Sequence, residues 1–389
     1  MNSQERHEAR YQRRKAKRQE KIKKLNEQYG NFDEIFSLDN MVDAFYQCKK
    51  SVSWKESTQK YEKNLLKNVY NSQQDVYNGI SVSRGFHYFD LRERGKERHI
   101  RSVHISERVV QKAVNRSCLL PILSRSLIYD NGASLKGKGV DFANRKLVEH
   151  LCQFYRHHGR DGYILLIDFS KYFDNIEHQP IFDDLSRKIL DERIINITKQ
   201  FVVPFGEKSL GLGSETSQIL AINYPNHIDH YIKEKLRIHG YGRYMDDSYL
   251  IHESKEYLEY CLEEIIKLCE EVGIKVNRNK TQIVKLTHQF TFLKTKYNII
   301  ENGKIIKRVS RCAVTRMRRK MKKFVKFYDA GLMSLQDIEQ SYQSYRGYLG
   351  KKDSYNTLKS IDKLYHDLFM PRKMKALIDR MEYGEDLAA

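Results

Sequence analysis

A short segment near residue 245 alternates between apolar and polar side chains and carries two adjacent aspartates at its centre. Residues 240–244 precede the pair Asp246 and Asp247, and Ser-Tyr-Leu-Ile follows it over 248–251. Alternation on both sides of a short polar centre is typical of a β-hairpin. The sequence therefore predicts a hairpin that presents two carboxylates at its tip.

Another acidic position follows the longest apolar run of the chain. Residues 163–167 read Tyr-Ile-Leu-Leu-Ile and lead directly into Asp168, which predicts a buried strand that ends on an acid. A strand-end acid beside the hairpin pair would bring three carboxylates close together. Two unit charges about 4 Å apart interact by about 4 kcal/mol at an effective dielectric near 20. Such a trio is stable only with cations between its members.

Magnesium suits three clustered carboxylates, because it is a hard cation that takes oxygen ligands and keeps positions for phosphate. Two such ions roughly 3.5–4 Å apart can activate a 3′-hydroxyl and stabilise a departing pyrophosphate. We therefore expect two Mg²⁺ ions, with Mn²⁺ as the alternative. The expected ligands are Asp168, Asp246, Asp247 and the backbone carbonyl of Phe169. The competing interpretation is that Asp168 caps a turn and that the hairpin pair is solvated.

Positive charge is concentrated in two segments. The chain has 70 Lys and Arg against 50 Asp and Glu, a formal net charge of +20, which indicates a polyanionic partner such as nucleic acid. Residues 304–326 carry eleven cations and no acid. Their apolar residues recur at helical spacing, so they predict a helix with a cationic face suited to phosphate. Residues 1–28 carry ten cations and four glutamates and are expected to be a solvated arm or a nucleic-acid contact.

Apolar periodicity predicts helices alternating with strands. Helices are predicted over 33–75, 105–127, 139–158, 186–202, 215–238 and 254–273 and from about 310 to 370. Strands are predicted over 84–101, 163–168, 241–252, 282–286, 290–299 and 305–309. Pro225 should kink its helix, and Cys261 and Cys269 share an apolar helix face that places them in the core. The alternation indicates a mixed α/β or α+β fold.

Targeting and redox signals indicate the cytoplasm. No apolar run approaches the roughly 18 residues that span a bilayer, and the N-terminus lacks the apolar core of a secretory signal. None of the six cysteines forms a C-x-x-C pair, so neither a zinc ribbon nor a disulfide framework is indicated. We expect a cytoplasmic protein with reduced thiols and no membrane partner.

From about residue 84 to residue 350, the order of motifs resembles that of reverse transcriptases. Tyr-Met-Asp-Asp over 244–247 matches the family's polymerase signature, and the Asp168 segment resembles its first palm motif. The other blocks that carry the resemblance are residues 96–111 (fingers), 211–218 (second palm motif), 273–281 (a later palm motif) and 290–294 (primer grip). The resemblance implies an α+β right-hand polymerase with fingers, palm and thumb. Its palm would be a small antiparallel sheet packed against helices.

The same resemblance implies a division of the chain into domains. The expected domains are a basic N-terminal arm over 1–30, fingers with an N-terminal extension over 31–160, a palm over 161–300 with part of the fingers around 186–212, and a thumb with a C-terminal tail over 301–389. The cationic segment 304–326 then falls where a thumb would hold the duplex.

Roles for individual residues follow from the resemblance as well. Asp168, Asp246 and Asp247 are the expected catalytic acids, and Lys280 matches the lysine proposed to protonate the leaving pyrophosphate. An aromatic ring at the position of Phe173, five residues after Asp168, excludes a ribose 2′-hydroxyl and so selects DNA precursors. The expected contacts to the incoming nucleotide are Lys96, Arg98, Phe173, Gly213 and Gln218.

Departures from the family pattern bear on the biological role. Gly-Leu-Gly over 211–213 stands where the second palm motif usually has Pro-Gln-Gly, which removes a side-chain contact to the nucleotide. Ser217 and Gln218 resemble bacterial retroelement enzymes of the diversity-generating and defence-associated types. No Val-Thr-Gly triplet of the retron type follows the palm, since Ala-Val-Thr-Arg over 313–316 is the nearest. We therefore expect a bacterial enzyme, in an anti-phage defence system.

The expected activity is RNA-directed DNA synthesis by two-metal nucleotidyl transfer. Its expected partners are an RNA template, a DNA or RNA primer, dNTPs and a dedicated noncoding RNA, with an accessory protein or a second copy of the chain as further candidates. Three alternatives stay open. They are a diversity-generating retroelement enzyme, an RNA-dependent RNA polymerase, against which Phe173 argues, and an RNA-binding scaffold without polymerase activity, against which the intact acids and Lys280 argue.

Overall fold

A computed structural model describes residues 3–50, 52–93 and 96–383, with the backbone alone at residues 3, 93, 96 and 379–383. Residues 384–389 of the predicted C-terminal tail and residues 1–2 of the predicted arm lie outside the described residues. The chain forms two compact units. The first is Met1–Lys146, Ile167–Leu250 and Glu256–Gln282, and the second is Leu147–Leu166, Ile251–Lys255 and Ile283–Ala389. No helix in the described part is long and apolar enough to cross a membrane.

The first part of the chain is helical apart from a two-stranded ribbon. Its elements are α1 (Ser3–Tyr29), α2 (Phe32–Ile35), α3 (Leu38–Lys49), α4 (Glu56–Lys63), α5 (Leu65–Tyr77), β1 (Phe86–Glu93), β2 (Lys96–Val103), α6 (Ile105–Val114), α7 (Leu120–Leu123) and α8 (Val140–His158). Strands β1 and β2 pair antiparallel, in the segment predicted to be β-rich. A π-helical turn at Asn115–Leu119 interrupts the helix predicted over 105–127. Pro121 follows directly and lacks the amide hydrogen that a regular α-helix uses.

The middle of the chain contains the segments around the predicted acids. Its elements are β3 (Tyr163–Asp168), α9 (Tyr172–Asn175), α10 (His178–Lys188), α11 (Glu192–Val202), α12 (Glu215–Asn223), α13 (Asn226–His230), β4 (Gly240–Tyr244), β5 (Asp247–His252) and α14 (Lys255–Glu271). The prediction of β3 is confirmed at both ends. The single helix predicted over 186–202 was wrong, because the side chain of Asp191 accepts a hydrogen bond from the amide of Arg193 and begins a new helix there.

Pro225 breaks its helix completely instead of kinking it. Helix α12 ends at Asn223, and Pro225 precedes α13 with φ −88° and ψ 19°. A proline lacks the amide hydrogen that would continue the α12 ladder. The break separates α12 from α13, which carries Asp229.

The last part of the chain contains short strands followed by long helices. Its elements are β6 (Gln282–Lys285), β7 (Phe290–Phe292), β8 (Thr295–Ile299), β9 (Ile305–Val309), α15 (Arg311–Asp329), α16 (Leu335–Gly350) and α17 (Tyr355–Tyr383). One sheet has the strand order β4-β5-β3-β6, and another has the order β7-β8-β9. The single strand predicted over 290–299 was wrong, because Leu293 and Lys294 form a two-residue turn with φ of 44° and 64°. Asparagine and glycine are the usual residues where both turn positions need positive φ.

The core of the second unit forms between its three long helices. Met317, Met321 and Phe324 of α15 are buried together with Tyr342 of α16 and Phe369 of α17. The cations of α15 are exposed, which confirms the predicted helix with one apolar and one cationic face from Arg311 onward. The start of the cationic segment was predicted wrongly, because residues 305–309 form β9. In the first unit, α3 packs against α6.

Two cysteines test the predicted apolar face of α14. Cys261 and Cys269 are both 0% exposed, so the prediction that they are core residues is confirmed. All six cysteines lie in the described part of the chain, and each is a free thiol.

The strained turn of the β7–β8 hairpin can be relieved. We expect the double substitution Leu293→Asn and Lys294→Gly to raise the free energy of unfolding by roughly 0.5–2 kcal/mol, because both new residues tolerate positive φ. Urea denaturation measures the change. The control is the double substitution Thr291→Asn and Lys296→Gly, at two positions that pair across the hairpin. It should destabilise the protein. A loss of stability in the turn variant would contradict the expected strain.

Candidate active site

The end of β3 is fixed by two segments that are distant in sequence. The amide of Phe169 donates to the carbonyl of Asp246 at 3.2 Å, and the amide of Asn277 donates to the carbonyl of Asp168 at 2.8 Å. The strand end therefore lies between the hairpin tip and the residues that follow α14. Asp168 and Asp246, which the sequence separates by 78 positions, are brought together in this way.

Strands β4 and β5 are joined by the two-residue turn Met245-Asp246. Met245 has φ +55°, in a region that is strained for a residue with a Cβ and that usually requires glycine at this turn position. Such strain persists only where surrounding contacts impose it. The turn places Asp246 and Asp247, both half-buried, at the tip of the hairpin, as predicted.

The guanidinium of Arg243 contacts this turn from the core. Its Nη1 donates to the carbonyl of Met245 at 3.2 Å, and its Nη2 donates to the carbonyl of Ile222 on α12 at 2.8 Å. Nε and Nη2 also donate to the carboxylate of Asp229 on α13 at distances between 2.6 and 3.1 Å. The hydroxyl of Tyr241 donates to the same carboxylate at 2.6 Å. Arg243 therefore connects the hairpin turn to two helices.

This ion pair lies entirely inside the protein. Arg243 is 2% exposed and Asp229 is 0% exposed. Burial by itself lowers the pKa of Arg243, but the charge and hydrogen bonds of Asp229 outweigh that effect and raise the pKa. Sequence patterns do not reveal this pair, since an arginine before the signature and an aspartate in a helix give no sign of meeting in the core. A charged pair of this kind is visible only in the tertiary structure.

Lys280 binds the carboxylate of Asp168. Its ammonium lies 2.9 Å from Oδ1 and 2.8 Å from Oδ2, and Nδ2 of Asn277 donates to Oδ2 at 3.1 Å. The hydrogen bond to Asp168 raises the pKa of Lys280, and the negative charges of Asp168, Asp246 and Asp247 act in the same direction. All three predicted acids therefore act on one ammonium group and form one electrostatic cluster.

The same contacts bear on the predicted metal site. Within the described part of the chain, no three His, Cys, Asp or Glu side chains are arranged to hold one metal ion. Both carboxylate oxygens of Asp168 are engaged by nitrogen atoms of Lys280 and Asn277. Three carboxylates and a backbone carbonyl are the kind of oxygen ligands that a hard divalent cation takes. In this structure the positive charge next to Asp168 comes from Lys280. The metal-binding roles of Asp168, Phe169 and the hairpin acids stay predictions.

Hydrogen bonds link the predicted gate to two other motifs. The carbonyl of Phe173, on α9, accepts from the amide of Leu210 at 2.9 Å, and the amide of Arg101 donates to the carbonyl of Leu212 at 3.3 Å. A Cβ on Gly213 would lie 3.0 Å from the carbonyl of Arg101, and Gly213 has φ +118°, so this position requires glycine. The gate segment, the second palm motif and the end of β2 are therefore neighbours.

The remaining nucleotide-binding candidates lie on β2 and α12. Arg98 and Lys96 occupy alternate positions of β2. Arg98 is exposed, whereas the side chain of Lys96 lies outside the described residues. Gln218 is exposed on α12. The contacts of all three to an incoming nucleotide stay predictions.

A buried polar network supports the loop that carries Gly213. Nε2 of Gln111 donates to Glu107 at 3.0 Å, and Oε1 of Gln111 accepts from the hydroxyl of Ser214 at 3.0 Å. Glu107 is 2% exposed, and burial raises its pKa to about 7. Neither Glu107 nor Gln111 stands out in sequence, because their spacing of four residues is ordinary on any polar helix face. Only the packing of α6 against α12 makes them a support for the second palm motif.

The sequence of this segment matches a known family model. Residues 92–297 match the model described as reverse transcriptase (RNA-dependent DNA polymerase), which is more than half of the 389 residues. The chain belongs to the reverse transcriptase family. The predicted fold class, a right-hand polymerase of mixed helices and antiparallel strands, is thereby confirmed for this reverse transcriptase. No curated protein matches the sequence.

Solved telomerase structures show a more distant likeness. Apo telomerase from Candida tropicalis is 14% identical with a TM-score of 0.49, over 76% of this reverse transcriptase and 62% of the telomerase chain. Telomerase from Candida albicans in complex with a TWJ fragment of telomeric RNA is 12% identical with a TM-score of 0.45, over 74% and 60% of the two chains. The chain therefore spans about three fifths of the length of these telomerase chains.

Substitutions at Arg243 should distinguish its contribution to the stability of the protein from its role in positioning the hairpin turn. We expect Arg243→Met to lower the free energy of unfolding by about 3–5 kcal/mol, because the buried carboxylate of Asp229 loses its partner. The double variant Arg243→Met with Asp229→Asn removes both charges and should regain most of that stability, as denaturant titration would measure. It still lacks the donor to Met245, so we expect single-turnover nucleotide incorporation to be at least about tenfold slower. Wild-type incorporation by the folded double variant would contradict the positioning role.

The buried acid Glu107 should give the protein a pH-dependent stability. Its pKa is raised from 4.5 to about 7, so its contribution is complete below pH 4.5 and is lost as the pH rises through about 7. We expect Glu107→Gln to be more stable than the wild type at pH 8 by roughly 1–3 kcal/mol. At pH 5 the difference should be small.

Thermal or urea denaturation at both pH values measures this difference. The exposed Glu207 offers a matched control, and Glu207→Gln should leave the pH profile unchanged. A stability difference for Glu107→Gln that does not depend on pH would show that Glu107 does not titrate in this range.

Proposed function

We propose that this chain extends a primer with deoxynucleotides on an RNA template. One observation carries the proposal: Asp168 at the end of β3, Asp246 at the hairpin tip and Lys280 come together, through the hydrogen bond from Phe169 to Asp246 and those from Lys280 to Asp168. The residues that do so lie in the segment that matches the reverse transcriptase family. A positioned cluster of acids with a lysine suits phosphoryl transfer, which depends on charge neutralisation and alignment instead of a covalent intermediate.

The residues that would hold Mg²⁺, or Mn²⁺ as the alternative, are Asp168, Asp246, Asp247 and the carbonyl of Phe169. When bound there, divalent ions lower the pKa of the primer 3′-hydroxyl and neutralise charge on the phosphates. The chain itself contributes the placement of the three acids, since Phe169 and Asn277 fix the end of β3 by backbone hydrogen bonds.

Lys280 is proposed to donate a proton to the leaving pyrophosphate. A lysine ammonium carries a proton at neutral pH, and the hydrogen bond to Asp168 raises its pKa further. Donating that proton therefore requires Lys280 to leave Asp168 for the phosphate. Its side chain is 55% exposed, which leaves it accessible to a substrate phosphate. The four-carbon stem of lysine allows such a movement, because it has several rotatable bonds.

Phe173 is proposed to exclude ribonucleotides. Its backbone is held by the hydrogen bond from Leu210, and its ring contacts that of the buried Tyr172 with centroids 5.8 Å apart. A ring fixed in this way leaves no room for an oxygen at C2′ of the sugar. This argument favours DNA synthesis over the alternative of an RNA-dependent RNA polymerase.

We further propose a bacterial, cytoplasmic role in anti-phage defence with a dedicated noncoding RNA. Support comes from the Gly-Leu-Gly sequence over 211–213 and from the departure from the retron triplet at 313–316. A diversity-generating retroelement enzyme is the alternative within the family. Sequencing the RNA that co-purifies with the protein, together with the neighbouring genes, distinguishes the two roles.

An RNA-binding scaffold without polymerase activity is the second candidate function. The observation that favours it is the pairing of Asp168 with Lys280, which fills both carboxylate oxygens with a protein cation. Primer extension in the presence of Mg²⁺ decides between the candidates.

Removing one hairpin acid should abolish synthesis. We expect Asp246→Asn to reduce single-nucleotide incorporation by roughly 10³-fold or more, because the variant loses a charge on which phosphoryl transfer depends. Circular dichroism and denaturant titration would show that it folds. The exposed Asp174 on α9 provides the matched control, and Asp174→Asn should retain activity. Undiminished synthesis by Asp246→Asn would overturn the proposed function.

Removing the gate ring should change the choice of sugar. We expect Phe173→Ala to raise the ratio of rNTP to dNTP incorporation by roughly 10-fold or more, because the space below C2′ is opened. The two catalytic efficiencies measured on one primer–template give this ratio. The neighbouring variant Tyr172→Phe, which keeps a ring at a buried position, should leave the ratio unchanged. An unaltered ratio in Phe173→Ala would contradict the gate.

A further inference from the structure

Helix α1 presents a row of cations along one side. Arg10, Arg13, Arg14, Lys17 and Lys21 occupy positions i, i+3, i+4, i+7 and i+11 of the helix, so they lie on one face. We call these five residues the basic stripe. All five are exposed, and α1 lies outside residues 92–297, which match the reverse transcriptase family.

The basic stripe is not neutralised by the protein. Within the described residues, none of its five side chains forms a hydrogen bond or an ion pair. The ion pairs of α1 join other cations instead, Lys23 with Glu27 at 3.9 Å and Lys24 with Glu20 at 3.4 Å. Five unpaired cations in a row repel one another, so an anionic partner would stabilise them.

The C-terminal end of α1 is anchored to the first unit. Asn26 is 9% exposed, its Nδ2 donates to the carbonyl of Lys188, and its Oδ1 accepts from the amide of Leu190, both at 2.9 Å. Residues 10–21 make up the exposed part before this anchor. The stripe is therefore attached to the protein at one end and open to solvent along its length.

We propose that the basic stripe of α1 docks the phosphate backbone of a double-stranded RNA segment. The inference rests on the proposed function, which requires an RNA partner, and it assigns to α1 a contact outside the active site. The stripe spans roughly 17 Å at 1.5 Å per residue, along which a duplex with the charge density of DNA presents about ten phosphates. Double-stranded RNA is recognised mainly through its shape and backbone, which suits a straight row of charges.

The composition of α1 excludes the other readings of a basic helix. A helix that lies on a membrane needs an apolar face, and the apolar side chains between residues 4 and 21 are Ala9, Tyr11 and Ala16. Between residues 4 and 21, Tyr11 is the one Phe, Tyr or Trp side chain, and it is 54% exposed. A single ring does not supply the row of rings on which successive single-stranded bases stack. Contacts made by the stripe would be independent of sequence.

Two triple variants with equal charge test the proposal. Both remove three exposed cations of α1 and insert glutamine, a good helix former. The stripe variant is Arg10→Gln, Arg13→Gln and Lys17→Gln, and the flank variant is Lys15→Gln, Arg18→Gln and Lys23→Gln. Each is made in the full chain that carries Asp246→Asn, so that binding is measured without synthesis. The probe is a labelled RNA hairpin with a stem of about 16 base pairs.

We expect the stripe variant to bind the hairpin roughly 10- to 100-fold more weakly at 0.15 M salt, because three counterion-releasing contacts are lost. The slope of log K against log salt should fall by about 2–3. The flank variant should lose less than about threefold, through screened long-range attraction alone. Affinity for a single strand of the same length should change less than affinity for the hairpin.

Equal losses in the two variants would overturn the proposal, since binding would then depend on total charge. Unchanged binding in both variants would overturn it as well, and so would binding to vesicles of anionic lipid with no binding to the hairpin. Primer extension by the same triple variants with Asp246 intact, on a short primer–template, is measured separately. Failure of the wild type to extend a primer would refute the proposed function, whereas the comparison of the triple variants still decides whether α1 docks RNA.

Discussion

The buried ion pair between Arg243 and Asp229 holds the turn that carries the acidic pair. The guanidinium donates to the turn through the carbonyl of Met245 and to α12 through the carbonyl of Ile222. The left-handed backbone of Met245 is strained, and strain of this kind persists only under such constraint. A buried charge also requires an accurately placed partner, because an unpaired buried charge strongly destabilises the folded protein. The position of Asp246 therefore depends on how α12 and α13 pack against the hairpin.

Positive charge supplied by Lys280 offsets part of the negative charge of the acids in this structure. Lys280 bonds to both oxygens of Asp168, and Asp246 and Asp247 add to the attraction. Clustered carboxylates repel strongly at short range, so some cation is required whether or not the enzyme is at work. Lysine serves this purpose and, in the proposed mechanism, also donates the proton, because its charge is carried on a long and flexible stem.

Local patterns predicted much of the fold and part of the site. The apolar run before Asp168 predicted β3, and alternation predicted the hairpin, since each pattern reflects a repeat of the backbone itself. Breaks at Asp191 and at Leu293-Lys294 were not predicted, because a capping side chain and a strained turn depend on one or two residues. Gln111 and Arg243 were not predicted for a different reason, because each bonds to a residue on another element. The metal ligands and the nucleotide contacts stay predictions.

The sequence by itself determined which side chains could do chemistry: the acids at a strand end and a hairpin tip, the lysine that follows, and the separated charges of α1. It could do so because motif order, periodicity and charge are properties of the chain before it folds. Tertiary structure alone decided which groups meet, namely Arg243 with Asp229, Lys280 with Asp168, and Gln111 with the loop of Gly213. Such meetings depend on burial, where an unpaired polar group is costly, and burial is set only when distant segments pack together.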